Sequence, residues 1–244
     1  MDKDAIARGL RTDIHAVMDL REGAAGDAAF AARLAALKAW QAERLSGTYA
    51  DLLASERYRP ATTFFLSDLY GPKDFRDRDG ELARVIPAMC RMLPAGALDT
   101  IWTAVRLDRL SEGLDQAVAG ALRKAAATAD APGEAAYGAA YRAAGRRAER
   151  EEQIALIGRI GDDLDALTRS RSLRMALILM RKPAKVAGFG ELQDFLERGF
   201  EAFRHMQGAK AFMEAVLSRE RAVMNRLFDA KARPFDVERA PLPV

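Results

Sequence analysis

The stretch Leu98-Asp-Thr-Ile-Trp-Thr-Ala-Val-Arg-Leu-Asp-Arg-Leu-Ser-Glu-Gly-Leu-Asp-Gln-Ala-Val-Ala-Gly-Ala-Leu122 decides the fold class. Ile101, Val105, Leu107, Leu110, Leu114 and Val118 recur mostly three or four positions apart, with charged residues between them. Residues spaced this way share one side of a 3.6-residue turn, so the stretch predicts a long helix with those residues as its inner face. Pro94 and Gly96 close the unit before it. Beyond it, Ala125 to Gly133 reads as a linker, since alanine and threonine lead into Asp130-Ala-Pro-Gly133.

Composition extends this reading to the whole chain. Of 244 residues, half are hydrophobic and 30% charged, which places the chain among globular proteins able to bury a sizeable core. The aromatic share is only 7%, and the abundant alanine, leucine, arginine and glutamate lose little rotamer freedom in a helix. No alternation of the strand type survives beyond four residues, and no fixed-period repeat is visible. The expected fold is all-α, a multi-helix bundle of about eight to nine helices with two packed helical halves as one arrangement. The halves would span 1–124 and 134–230, joined by a linker at 125–133 and followed by an extended tail at 231–244. One continuous domain is equally consistent with the pattern.

The halves break down into helices with readable ends. Ile6, Leu10, Ile14, Val17 and Leu20 mark a first helix ended by Gly23 and Gly26. Asp27 is suited to cap a second, carrying Phe30, Leu34, Leu37, Trp40 and Leu45, with Ser46-Gly47 as an interruption. A short helix over Ala61 to Tyr70 is stopped by Gly71-Pro72, and Asp74 caps the next, in which Pro87 imposes a kink or division. After the linker, Tyr137, Tyr141, Ile154, Ile157, Ile160, Leu164 and Leu167 form one long amphipathic pattern. Within it, Gly158 and Gly161 permit a close neighbour. Arg169 to Lys182 reads as a short basic and apolar helix ended by Pro183. Two further helices carry Leu192 to Phe203 and Phe212 to Phe228.

The densest local chemistry lies in Tyr58-Arg-Pro-Ala-Thr-Thr-Phe-Phe-Leu-Ser-Asp-Leu-Tyr-Gly-Pro-Lys-Asp-Phe-Arg-Asp-Arg-Asp79. Its segment Phe64, Phe65, Leu66, Ser67, Asp68, Leu69, Tyr70 resembles the signature of a bacterial family named for a Phe-Phe-Leu-Glu-Glu-Leu-Tyr motif. Ser67 stands where the family name has glutamate, while Asp68 keeps a carboxylate at the next place. Tyr137-Gly-Ala-Ala-Tyr-Arg142 and Met180-Arg-Lys-Pro-Ala184 look like further blocks of the same family, so the likeness runs from about Leu34 to Phe228. The resemblance implies no activity and carries over no catalytic residue.

Read physically, Phe64 and Phe65 are expected to organise a buried corner, because aromatic residues at helical spacing usually belong to a core. Asp68 is expected on a different side from the aromatic residues. The competing reading is a ligand or partner site whose members would be Phe64, Phe65, Asp68, Tyr70, Arg78 and Asp79. For Lys73 to Asp79 the leading expectation is a solvated capping turn, and a structural network joining Asp68, Tyr70, Arg57 and Arg84 is the alternative, since buried carboxylates and guanidiniums need one another.

Other chemistries lack their residues. His15 and His205 are the only histidines and share no metal-ligand spacing. Asp162-Asp-Leu-Asp165 has no second acidic motif to work with, and Gly188-Phe-Gly190 follows no strand. Cys90, the only cysteine, stands between Met89 and Arg91 and reads as an inert thiol compatible with a reducing compartment. No catalytic residue, metal or cofactor is therefore assigned. The N-terminus carries acids and no apolar run, and no window has the roughly 20 apolar residues a membrane span needs. A cytoplasmic protein is the expectation.

Charge narrows the partners. Lys plus Arg is 38 against 35 Asp plus Glu, an excess too small for a broad nucleic-acid footprint despite a pI near 9.1. The local exception is Arg169, Arg171, Arg174, Arg181, Lys182 and Lys185, which surround Met175-Ala-Leu-Ile-Leu-Met180. Such a segment suits a protein partner or a second copy of the chain, and also an anionic membrane surface or nucleic acid. The favoured expectation is nevertheless a buried helix whose long basic side chains reach out to water. The expected function is a non-enzymatic helical interaction or regulatory protein. The alternative is a small-molecule binder or enzyme with a pocket near Phe64–Asp79.

Overall fold

A computed structural model describes residues 2–69, 76–125 and 131–239, with the side chains of Leu69, Arg76, Asp77, Arg78 and Met92 outside that description. The protein is 84% helical and has no strand among the described residues. Eleven α-helices appear there: α1 (Lys3–Ala25), α2 (Ala28–Thr48), α3 (Ala50–Ala54), α4 (Arg59–Phe64), α5 (Arg76–Met92), α6 (Ala95–Lys124), α7 (Glu134–Ala144), α8 (Arg147–Leu167), α9 (Arg171–Val186), α10 (Gly190–Met206) and α11 (Lys210–Phe228). A π-helical turn, Phe65–Leu69, continues α4.

The count exceeds the expected eight to nine for local reasons. The Tyr137–Leu167 pattern is two helices rather than one, because Gly145 adopts a left-handed φ of 76° and caps α7 before α8 begins. The corner after Thr48 sets off the short α3, whereas Ser46 and Gly47 lie inside α2. Three expected breaks do not occur. Gly23 lies within α1, and Pro87 within a continuous α5. Pro183 lies within α9, which runs on to Val186; Pro183 is exposed, so water can serve the carbonyl that loses its donor. Asp27 caps α2 as expected, its carboxylate accepting from the Phe30 N–H. The expected cap at Asp74 lies outside the described residues.

The Leu98–Leu122 pattern lies in α6, 30 residues and therefore about 45 Å of spine. It packs against α1 and α2 on one side of the sequence and α7 and α8 on the other. Three apolar clusters lie along it. Leu98 and Val105 join Leu10, Ile14 and Ile86 near its start. Leu107 joins Tyr58, Phe64, Ile157, Phe203 and Phe212 at the middle. Val118 and Leu122 join Leu37, Tyr137, Tyr141 and Leu227 towards its end. Close approach of helices depends on glycine at three points, the first being Gly9 of α1, where a Cβ would overlap the Trp102 ring of α6. A Cβ on Gly161 of α8 would overlap the Met213 thioether of α11, and one on Gly199 of α10 would come within 2.8 Å of the Phe64 ring.

Candidate functional site

The described residues at the two ends of the Phe64–Asp79 stretch are held by different helices. Phe64 is buried, its ring lying over Gly199 and 5.3 Å from that of Phe195, both on α10. Asp68 is buried too, and Arg198 of α10 donates to it at 2.7 Å. Phe64 and Asp68 therefore present to the same helix, which corrects the expectation that Asp68 points away from the aromatic face. Being four residues apart brings them onto one side, and α10 offers aromatic, glycine and arginine contacts in a single turn. Phe65 meets Phe212 edge to face, with ring centroids 6.4 Å apart, and borders an apolar hollow of about 20 Å³.

Asp79 belongs to a different interface, and its burial there corrects the expectation of a solvated turn at that position. It is 1% exposed and ion-paired with Arg21 of α1, which also donates to Asp108 at 2.7 Å and to Glu112 at 3.3 Å. Arg57 donates to the Met206 carbonyl and Arg84 to the Gly80 carbonyl. Tyr70 and the Arg78 side chain lie outside the described residues.

The basic segment forms a coherent surface. Arg169 precedes α9 and pairs with Asp165; Ser170 then caps the helix by accepting from the Leu173 N–H. Leu173, Leu177, Met180 and Ala184 recur at helical spacing as the more enclosed face, and α9 packs chiefly on α10. Two of its cations serve that packing. Arg181 donates to both oxygens of Glu197, and Arg174 lies 3.6 Å from Glu201. The Arg181 hydrogen bond holds the Glu197 carboxyl below its usual range.

The opposite face has no such covering. Met175 is 53% exposed, Ile178 37%, Leu179 69% and Val186 91%. These four are all the exposed large hydrophobic residues among the described ones. Arg171, Lys182 and Lys185 are exposed with them, and no ion pair within 4.0 Å engages them among the described residues. At 100° per residue, Lys182 falls between Ile178 and Val186 on the helical wheel, so cations and apolar groups share one face. The reading of a buried helix with outward-reaching arginines is thus not what the fold adopts.

A third place went unnoticed in the sequence. Asp108, Ser111, Glu112 and Asp115 of α6 line a central cavity with Lys38, Gln41 and Arg44 of α2. Their spacing of three and four residues was a legible signal, but a polar stripe on one helix usually faces solvent. Elsewhere, His205 lies exposed with Nε2 3.3 Å from the Glu56 carbonyl oxygen. No group of three potential metal ligands occurs among the described residues. No described helix is long and apolar enough to cross a membrane.

Among the described residues, fold and surfaces together define a helical bundle with a recessed polar cavity and a peripheral amphipathic helix. The chain belongs to a family described as a domain of unknown function, DUF8198, whose model matches residues 20–234. No curated protein and no solved structure matches the chain.

Proposed function

We propose that this protein is a non-enzymatic interaction module that binds an acidic, amphipathic helix on the outer face of α9. The carrying observation is that every exposed large hydrophobic residue of the described chain lies on that one helix. Exposed apolar groups gathered in one place favour association, because covering them removes apolar area from water.

Charge selects the occupant. α9 carries five cations and no acid, so two copies laid face to face would repel. A lipid surface is a weaker fit. Arg174 and Arg181 at the polar edge are engaged by α10, while Arg171 and Lys182 sit among the apolar residues that would have to enter the bilayer. A helix with leucine at i, i+3, i+4 and i+7, flanked by glutamates, satisfies both groups. The likeness to the Phe-Phe-Leu-Glu-Glu-Leu-Tyr family supports a bacterial origin, and the single cysteine suits the cytoplasm. In this reading Phe64, Phe65, Asp68 and Asp79 fix the corner and interfaces on which α10, and hence α9, is mounted.

A labelled synthetic peptide of that design, titrated by fluorescence anisotropy, tests the reading. Binding is expected in the micromolar range, weakening with salt. Leu179→Asp and Lys182→Glu should each lower affinity about tenfold or more, while leaving the melting temperature within 2 °C or so because both side chains are exposed. Equal affinity for a lysine-flanked peptide, or stronger retention on vesicles containing anionic lipid than on the peptide, would overturn it.

A further inference from the structure

We propose that the cavity between α2, α6, α7, α8 and α11 is a binding site for a small neutral molecule with an amide-type edge, a carbonyl oxygen beside an N–H. The cavity measures about 110 Å³. An engineered apolar cavity of about 150 Å³ admits benzene, so the space here suits a compound of roughly five or six heavy atoms.

Its walls contain polar groups that the protein leaves unanswered. The Arg44 guanidinium is set into the core, yet Nε and Nη1 are buried without a hydrogen-bond acceptor. The nearest carboxylate oxygen, Glu220 Oε1, stands 3.6 Å from Nη1 and already accepts from the Tyr49 hydroxyl at 2.6 Å. Phe235 covers another side of the guanidinium, its ring centroid 5.2 Å from Cζ. Tyr137 and Tyr141 are 2% and 6% exposed, and neither phenol hydroxyl has a hydrogen-bond partner among the described residues. Buried donors without partners are rare in native proteins, because each gives up water and receives nothing in return. Arg44 places two of them beside one hollow, which the Tyr137 and Tyr141 side chains also border, and this indicates that something polar occupies it.

The arrangement also specifies the occupant. Ile154, Ile157, Met224 and Leu227 supply an apolar wall opposite the polar groups. The lining carries four cations and four carboxylates, so its formal charge is already balanced and an ionic guest would enter uncompensated. Arg44 and the phenols donate towards an acceptor such as a carbonyl oxygen. Asp115, which accepts one hydrogen bond from Gln41 at 3.0 Å, offers its second oxygen to a neighbouring N–H. This site is remote in kind from the α9 face: one is recessed between helices and charge-balanced, the other exposed and cationic.

Ligand-observed NMR on the full chain gives the test, with 2-pyrrolidinone as the neutral amide, propionate as the anion and cyclopentane as the apolar control. Saturation transfer to 2-pyrrolidinone is expected, with a dissociation constant of about 10 mM or tighter. Propionate and cyclopentane should bind at least tenfold or so more weakly. Tyr141→Phe removes only a hydroxyl and Arg44→Lys keeps the charge, so both should fold, as checked by circular dichroism. Each is expected to reduce amide binding about fivefold or more. Absence of amide binding, preference for propionate or cyclopentane, or full affinity in both folded variants would each overturn the proposal. So would binding that survives in Tyr141→Phe but is abolished by the α9 variant Leu179→Asp.

Discussion

Asp115 shows how a single side chain can be in tension with its surroundings. Burial pushes its carboxyl above the usual range, against the opposing pull of Arg150, Lys38 and the Gln41 amide, with Glu112 adding to the rise. Glu112, one turn away, ends below its usual range: burial works against it, but Lys38, Gln116 and Arg21 outweigh that cost. The two carboxylates therefore give opposite pH dependences. A raised folded pKa contributes stability that is complete below the unfolded value of about 4 and is lost as pH rises through the folded pKa. Asp115→Asn abolishes that loss while keeping an acceptor for Gln41. Its melting temperature should match the parent below about pH 4 and exceed it at pH 7. Thermal melts across this range check the sign, and a variant less stable at pH 7 than at pH 4 relative to the parent would refute it.

Among the elements, the corner between α2 and α3 depends on an arginine contributed from far along the chain. Arg219 of α11 is 2% exposed and donates to both oxygens of Asp51, at 2.8 and 2.6 Å. It also donates to the Thr48 carbonyl at the end of α2, at 3.2 Å. The hydrogen bonds from Arg219, helped by its charge, hold the Asp51 carboxyl below its usual range. Arg219→Ala removes the donor shared by the Thr48 carbonyl and the part-exposed Asp51 carboxylate and should cost about 1.5–3 kcal/mol, read from chemical denaturation. A cost under about 1 kcal/mol would show that water replaces the guanidinium, and that the corner holds without it. At the same scale α9 is the outlier, since its apolar pattern finds a neighbour on only one side.

For the whole molecule the decisive fact is that the middle cluster is built from both ends of the sequence. Leu45, Leu52, Tyr58, Phe64 and Leu107 pack with Ile157, Phe203, Phe212 and Val216. We propose on this ground that residues 1–124 and 134–230 form one cooperative unit rather than two domains. The fragment 1–124 expressed alone should lack a cooperative thermal transition, because it exposes the Leu45–Phe64 surface to water. Co-expression with 131–244 should restore one transition for the pair. A fragment that melts cooperatively near the parent temperature would establish two domains instead.

Helix content was legible because periodicity is local: the spacing of Leu98 to Leu122 marks an apolar side whatever packs on it. The Asp27 cap and the close approach at Gly161 were readable for the same reason, each depending on residue type at one position. The break at Gly145 was missed because Tyr137 and Tyr141 before it and Ile154, Ile157 and Ile160 after it each keep helical spacing, and only the backbone reveals the left-handed residue. Which faces meet is a different kind of information. A polar stripe at Asp108, Ser111, Glu112 and Asp115 looks like a solvated side until α2, α7, α8 and α11 close over it. An apolar stripe at Met175, Ile178, Leu179 and Val186 looks like core until nothing in the described fold covers it. Sequence by itself determined that this chain is helical and where most of its helices run. Tertiary structure alone decided that charged residues are enclosed and apolar ones exposed, because burial depends on the neighbour across the interface and not on the residues that form the face.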